Sequence, residues 1–258
     1  MRDTLDPTAD RALYRQLADA LREEIVTGEW QPGAPLPSER FLVEHYGMSR
    51  GTVREAVNLL KVEGLIDTRH GRGAFVRDRR PVERISWDRF DRRHRQGGNA
   101  AYLVEMEQSG REPGIDRIEI EKQVSVPPEV AKRLELQPGE AVTVRSRRYL
   151  ANGEPMQVAT SYIPWELASG TPILEPNPGP GGIYARLEEL GYRLDHFTEE
   201  VTARMPTPEE ARALRMSPGV PVVQVVRVAF AEGERPVEMC DTVMRADRYV
   251  LHYRLPAT

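Results

Sequence analysis

The first quarter of the chain sets apolar stripes between polar breaks at helical spacing. Leu13, Leu17, Leu21 and Ile25, with Tyr14 and Ala18 beside them, predict an amphipathic helix that Gly28 stops. After a loop carrying Pro32, Gly33, Pro35 and Pro37, Ser38 stands where an N-cap belongs, and Phe41, Leu42 and Tyr46 predict a short second helix ended by Gly47. Val53, Ala56, Val57 and Leu60 fall at i, i+3, i+4 and i+7 and place a third helix over Met48 to Glu63. Only Gly47, Met48 and Ser49 separate the second and third helices, so the two must cross steeply, as in a helix-turn-helix. Two short apolar runs, Leu65 to Thr68 and Ala74 to Val76, flank a Gly-rich turn and predict a hairpin or wing.

From about Asn99 the pattern changes to strand-like alternation, and it repeats. The stretch beginning "PEVAKRLELQPGEAVTV" at Pro128 recurs as "PEEARALRMSPGVPVVQV" at Pro208, with a constant offset of 80 that carries through Pro138 and Pro218 to Gly153 and Gly233. Each unit reads as a short helix, a Pro-Gly turn and a β-hairpin. Alternation such as Val142 with Val144, and Val222 with Val226, predicts one antiparallel sheet with helices on one side. A cleft between related halves is where a small ligand would sit. Residues 78–98, "DRRPVERISWDRFDRRHRQGG", are dense in arginine and poor in aliphatics, which predicts a linker docked by Trp87 and Phe90. Arg79, Arg80, Arg92, Arg93 and Arg95 read either as solvated charge or as a trail along phosphates. The expected organisation is α+β in two domains, 1–77 and 99–258, joined by the linker 78–98.

Composition narrows the class. With 258 residues, 40% hydrophobic and 29% charged, the chain is expected to fold as a soluble globular protein. Cys240 is the single cysteine, so no intrachain disulfide forms, and it is expected to be a small buried hydrophobe in a reducing compartment. The start "MRDTLDPTAD" has no apolar run, and Val220 to Ala231 is broken by Pro221, Gln224 and Arg227. Neither secretion nor a membrane span is expected, and the expected location is cytoplasmic. The net charge of -4 argues against indiscriminate coating of nucleic acid, yet Leu36 to Arg80 holds nine basic residues against six acids. His45, His70, His94, His196 and His252 are scattered without HExxH spacing, and GxSxG and GxxxxGK[ST] are absent. The paired acids Glu199–Glu200 and Glu209–Glu210 read as solvated faces. No catalytic centre, cofactor or metal site is expected, and the chain is not expected to be an enzyme.

The apolar stripe explains the body of the third helix and leaves its tip unexplained. A core needs none of Ser49, Arg50, Gly51, Thr52 and Arg54, and Gly51 weakens the first turn by up to about 1 kcal/mol. In a helix-turn-helix this tip enters the major groove. Arg50 and Arg54 lie one turn apart on one face, and arginine is the commonest bidentate reader of guanine. Gly51 permits close backbone approach, Thr52 suits a phosphate or a thymine methyl, and Ser49 serves as N-cap. The stretches "LYRQLADALREEIVTGEWQPG", "LPSERFLVEHYGMSRGTVREAVNLLKVEGLI" and "HGRGAFV" resemble the winged helix-turn-helix of the GntR family of bacterial transcription regulators. That resemblance implies DNA contacts from Arg40, Ser49, Arg50, Gly51, Thr52 and Arg54, with His70 and Gly71 at the wing tip. Phe41 replaces the charged residue usual after Arg40 and is expected to pack inward.

Residues 99–258 resemble the UTRA effector-binding domain of the HutC subfamily, a fold related to chorismate lyase. The resemblance is carried by "RRYLANGEPMQVATSYIP", "GGIYARLEELG", "FTEEVTARMPTPEEARAL" and "RPVEMCDTVMRADRYVLHY". It implies a small-molecule metabolite effector, with Arg147, Arg148, Gly182, Tyr184 and Glu238 as binding candidates. Read alone, "GPGGIY" sets the N–H groups of Gly181, Gly182 and Ile183 at the start of a helix over Tyr184 to Leu190, which suits an anion or else is an ordinary Gly-Pro loop. The arginines read equally as cross-strand salt bridges. At Ala159, Gly182 and Met244 the chain departs from sugar-phosphate sensors, and a less polar effector fits equally well. The expected protein is a regulator of the repressor type, a homodimer on a palindromic double-stranded operator, with dimer contacts from the sheet-rich domain. The alternatives are a ligand-independent regulator of plasmid transfer and a protein-interaction scaffold built on the second domain.

Overall fold

A computed structural model describes residues 10–69, 73–77, 81–216 and 218–255. It divides into two compact units, one ending at Arg80 and the other formed by Pro81–Met216 and Val220–Thr258.

In the first unit, α1 (Leu13–Thr27) ends at Gly28 in the left-handed region, α2 (Glu39–Tyr46) starts under a Ser38 cap, and α3 (Arg50–Val62) starts under a Ser49 cap. The turn before α3 is made by Gly47 at φ 65°, a conformation glycine adopts without a Cβ clash. Leu17, Ala18 and Leu21 of α1, Leu42 of α2 and Val53, Ala56 and Leu60 of α3 share one buried core, with Val57 at its margin. Each fully buried Leu contributes about 1.5–3 kcal/mol. The wing is β1 (Ile66–Arg69) antiparallel to β2 (Gly73–Val76), with Pro35 bridging to Phe75. Phe41 does not pack inward. It is half exposed and stacks on His45 at 5.3 Å, because the inward position of that turn belongs to Leu42.

The second unit opens with β3 (Val82–Ile85), α4 (Arg92–Gln96) and α5 (Ala101–Gln108). The internal repeat then appears as two four-element sets. The first is β4 (Pro113–Ser125), α6 (Pro128–Arg133), β5 (Ala141–Ala151) and β6 (Glu154–Pro164). After α7 (Trp165–Ala168) and α8 (Gly182–Glu189), the second is β7 (Leu194–Arg204), α9 (Pro208–Ala213), β8 (Val222–Ala231) and β9 (Arg235–Arg245), followed by β10 (Tyr249–His252). The six long strands form one antiparallel sheet in the order β4-β5-β6-β9-β8-β7, so the two sets meet at the β6–β9 pair. The repeat extends to the backbone: Glu135 and Arg215, equivalent positions, both turn through positive φ, at 53° and 49°.

Helices cover both faces of this sheet, not one as the repeat suggested. Val142, Val144, Val228 and Met239 pack with Val130 of α6 on one face. Ile163 and Ala229, at alternate strand positions, pack with Ile183, Tyr184 and Leu187 of α8 on the other. The sequence repeat contains α6 and α9 but not α8, which is inserted between the two sets.

The stretch expected to be a linker is folded into the second unit from Pro81 onward. Strand β3 pairs in parallel with β10, in register from Val82 with Tyr249 to Ile85 with His252. Arg84, Arg89 and Arg95 are buried. Their charges are met by acids distant in sequence: Arg84 with Glu199 at 2.9 Å, Arg89 with Glu105 at 2.7 Å and Arg95 with Glu188 at 3.0 Å. Phe90 stacks on Phe197 at 4.5 Å, whereas Trp87 stays half exposed. Arg92 pairs with Glu188 and the exposed Arg93 with Asp88 within the unit, and Arg79 and Arg80 lie outside the described residues.

Candidate DNA-reading surface and ligand cavity

The tip of α3 is open to solvent. Ser49 Oγ accepts the Thr52 N–H at 3.1 Å and lies 2.9 Å from the Thr52 hydroxyl, which fixes the first turn. Arg50 and Gly51 are exposed, and Arg50 has no ion pair among the described residues. The Arg54 side chain is 73% exposed and reaches Glu39 at 3.1 Å. Arg40, 82% exposed, pairs with Glu44 one turn away at 3.0 Å. The six predicted residues from α2 and α3 therefore carry no core function. His70 and Gly71 lie outside the described residues.

The second unit encloses a cavity of about 420 Å³ on the sheet face that carries α8. Because strand side chains alternate, Arg145, Arg147 and Tyr149 of β5 face it, as do Gln157 and Ala159 of β6, Arg227 of β8, and Glu238, Cys240 and Thr242 of β9. Gly182 and Tyr184 close it from α8. Three arginines from the folded connection, Arg84, Arg89 and Arg95, complete the charged lining. Apolar side chains share the lining: Leu103 from α5, and Ile115 and Ile118 from β4, which stand cross-strand from Tyr149 and Arg147.

The charge balance of this lining is uneven. Arg84, Arg89 and Arg95 have the carboxylates named above, and Arg227 has Glu238 at 3.5 Å. Arg145 and Arg147 have no carboxylate partner among the described residues. Arg145 donates instead to the carbonyls of Ile173, Glu175 and Pro176, and Arg147 to the Ser161 hydroxyl. Burial, reinforced by repulsion from Arg147, brings the Arg145 guanidinium down to about 10, still cationic at neutral pH. Burial would raise the Glu199 carboxyl, but Arg84 and Arg227 outweigh it and hold it below its usual range. Burial pushes the Tyr184 phenol well above its ordinary value, and its hydroxyl donates to Glu238 while accepting from Arg227 Nε at 3.0 Å.

Four of the five ligand candidates line this cavity: Arg147, Gly182, Tyr184 and Glu238. Arg148 does not. As the neighbour of Arg147 on a strand it points to the other face, where it pairs with Asp116 and donates to the Ala213 carbonyl at 3.0 Å. Arg145, two positions from Arg147, is the residue the sequence reading missed; strand period two, counted from Arg147, singles it out. The glycine loop before α8 is also less open than "GPGGIY" suggested. The Gly181 N–H donates to the Gly98 carbonyl at 2.8 Å and the Gly182 N–H to the Gly179 carbonyl at 3.1 Å. Cys240 is buried, as expected, but in the cavity floor. Met244 lies outside the lining and meets Arg84 through its sulfur at 3.3 Å.

Among the described residues one cluster of three possible metal ligands occurs: Asp195, His196 and Glu234 bring their ligand atoms within 4.8 Å of one another. Both ring nitrogens of His196 already face a carboxylate, at 3.0 Å and 3.6 Å, an arrangement that ion pairing alone accounts for. No helix among the described residues is long and apolar enough to cross a membrane.

Residues 13–76 match the description "Bacterial regulatory proteins, gntR family", and residues 108–250 match the UTRA domain. The chain belongs to the GntR family. This GntR-family chain is 35% identical over 245 residues to an uncharacterized HTH-type transcriptional regulator of Streptomyces coelicolor, spanning 93% of this chain and 91% of that one. It is 30% identical over 243 residues to the HTH-type transcriptional repressor NagR of Bacillus subtilis, spanning 93% and 94% of the two chains. A crystal structure of a GntR-family transcriptional regulator, 32% identical, superposes with a TM-score of 0.58 over 96% of this chain and 99% of the other. The GntR-family chain is thus a DNA-binding transcriptional regulator with a winged helix-turn-helix unit and an α+β UTRA unit.

Proposed function

We propose that this regulator is a repressor, a two-fold dimer on a palindromic operator, which a small anion bound in the UTRA cavity releases. The observation that carries the effector half is the pair of guanidinium groups in the cavity lining, Arg145 buried and Arg147 partly buried, left without a carboxylate. A buried charge without its counter-charge is costly, and an anion seated between the two relieves that cost. The name of NagR as a repressor supports the sign of control.

For the operator, Arg50 is the free reader and Arg40 and Arg54 are held ready by exposed ion pairs. Such pairs are worth about 0.2–1 kcal/mol, less than the about 1–3 kcal/mol of a bidentate base contact, so DNA displaces Glu44 and Glu39. Ser49, Gly51 and Thr52 let the helix start approach the phosphates, and His70 with Gly71 supply the wing contact. The chain has no catalytic role in this reading. Tyr184, with its proton held toward Glu238 and its phenol raised by burial, is poorly matched to proton transfer near neutrality.

The test is fluorescence anisotropy of the full chain on duplex from upstream of its own gene, titrated with small anions. Release by at least one anion, lost in Arg147→Gln, is expected. Operator binding that no anion alters would overturn the effector half while leaving the DNA half standing.

A further inference from the structure

We propose that Cys240 is a site of oxidation by small hydroperoxides, and that the oxygen its sulfur gains answers the uncompensated arginines of the cavity and so weakens operator binding; the second half rests on the anion reading above. Cys240 is 3% exposed, but its surroundings are not those of a hydrophobe. Among the described residues it joins none of the apolar clusters of the second unit. It lines the cavity instead, and its sulfur meets the Thr242 hydroxyl at 3.5 Å. Leu103 and Ile115 of the same lining are 39% and 46% exposed, so the cavity is open to solvent on the side of α5 and β4.

Strand register sets this sulfur between basic residues. Across the sheet Arg145 of β5 stands opposite Ser161 of β6, Ser161 opposite Cys240 of β9, and Cys240 opposite Arg227 of β8. Directly opposed Cβ atoms lie about 4.5–5.5 Å apart. Cys240 is therefore one strand from Arg227 and one strand from Ser161, whose hydroxyl Arg147 Nη2 donates to. Arg227 has Glu238 at 3.5 Å, whereas Arg145 and Arg147 have no carboxylate among the described residues. Two further groups in the lining are unmatched: Arg145, 1% exposed, keeps its Nε buried without an acceptor, and Gln157, 3% exposed, keeps its Oε1 buried without a donor. Buried polar groups left this way are met by something that enters from outside the fold. Hydrogen peroxide carries both O–H donors and acceptor lone pairs and suits either.

The Cys240 sulfur attacks one oxygen of hydrogen peroxide, an S–O bond forms as the O–O bond breaks, and the thiol proton ends on the departing hydroxide as water. Sulfur is thereby oxidised by two electrons to the sulfenic acid, and the peroxide is reduced. Negative charge develops on the leaving oxygen, where fixed guanidinium donors in a site shielded from water are most effective. The oxygen kept on sulfur is an acceptor for the remaining N–H groups of Arg145 and Arg147, the part that a bound anion plays in the reading above. Because Cys240 is the single cysteine, no second thiol of the chain can close a disulfide, and the sulfenic acid lasts until a small thiol enters.

The test treats the full chain with hydrogen peroxide, traps sulfenic acid with dimedone for intact-mass analysis, and follows operator anisotropy in parallel. One dimedone adduct is expected, formed about tenfold or more faster in the native chain than in urea at the same pH. Operator affinity should fall about tenfold on oxidation and return with dithiothreitol. Cys240→Ser should give no adduct and hold the operator in peroxide. Oxidised methionine does not imitate this pattern, because dithiothreitol does not repair it. If the serine variant fails to fold, reversal in the parent decides. An adduct that forms more slowly in the native chain than in urea marks an inert core thiol and overturns the site. A native adduct with operator binding unchanged, while small anions still release the operator, overturns the switch and keeps the anion reading. Release of a folded Cys240→Ser chain by peroxide overturns the role of this sulfur. If neither peroxide nor any anion alters operator binding, the switch and the anion reading fall together.

Discussion

Glu105→Gln is the substitution whose cost can be worked most directly from the structure. Glu105 is 1% exposed, with Arg89 at 2.7 Å and Arg84 at 4.0 Å. Neutralising it leaves three buried arginines, Arg84, Arg89 and Arg227, sharing Glu199 and Glu238. Burial and repulsion from Arg84 already bring Arg89 down to about 10. Removing one partner of a buried pair costs about 3–5 kcal/mol, and glutamine keeps the volume and one acceptor, which places the loss near the lower figure. For a unit of this size each kcal/mol moves the transition by about 2–4 °C, so calorimetry of the full chain should show the second unit melting roughly 6–12 °C lower. The double variant Arg89→Met with Glu105→Met should recover most of that loss, because it removes both charges from the interior. A shift under about 2 °C for the single variant, or a double variant whose losses simply add, would refute the claim that this ion pair fastens the connecting segment.

Further outcomes follow from single features. Gly181→Ala should lower both melting temperature and ligand affinity, since a Cβ there meets Ala185 Cβ at 2.7 Å and the Arg95 carbonyl at 2.9 Å, on a backbone at φ 76°; an unchanged melt would contradict the close packing. Burial raises the Asp241 carboxyl despite two donations from Gln224. Between its ordinary and its raised value the folded chain holds a proton that the unfolded chain gives up, so stability falls as pH climbs through that window. Asp241→Asn should therefore raise the melting temperature at pH 7 and flatten the decline above about pH 4. Operator affinity should fall steeply with salt, with a log–log slope near -0.9 per phosphate neutralised, and a flat titration would remove phosphate contacts from the account.

The winged helix-turn-helix was legible residue by residue, because every element is fixed by local signals: the stripe of Val53, Ala56 and Leu60, the caps Ser38 and Ser49, and the turn glycine Gly47. The duplicated hairpins were legible because the 80-residue offset survives in Pro-Gly and Asn/Glu-Gly turns. The edge strands β4 and β7 were not placed, since both are exposed along much of their length and charges such as Glu119, Glu121 and Glu200 interrupt any apolar alternation. The connection misled for a related reason. An arginine-rich run looks solvated in any local window, and the acids that permit its burial, Glu105, Glu188 and Glu199, come from elements scattered along the rest of the unit. In the cavity, strand alternation was the missing constraint: it rejects Arg148, keeps Arg147 and adds Arg145.

The most direct test of the account is the binding of Arg50→Ala to the operator and to an unrelated duplex of equal length, at one fixed salt concentration. Arg50 is exposed on the first turn of α3 and supports no core contact, so the variant should fold as the parent does, lose about 1–3 kcal/mol on the operator, and bind the unrelated duplex nearly as before. Equal affinity of parent and variant for the operator would contradict the claim that the tip of α3 reads DNA.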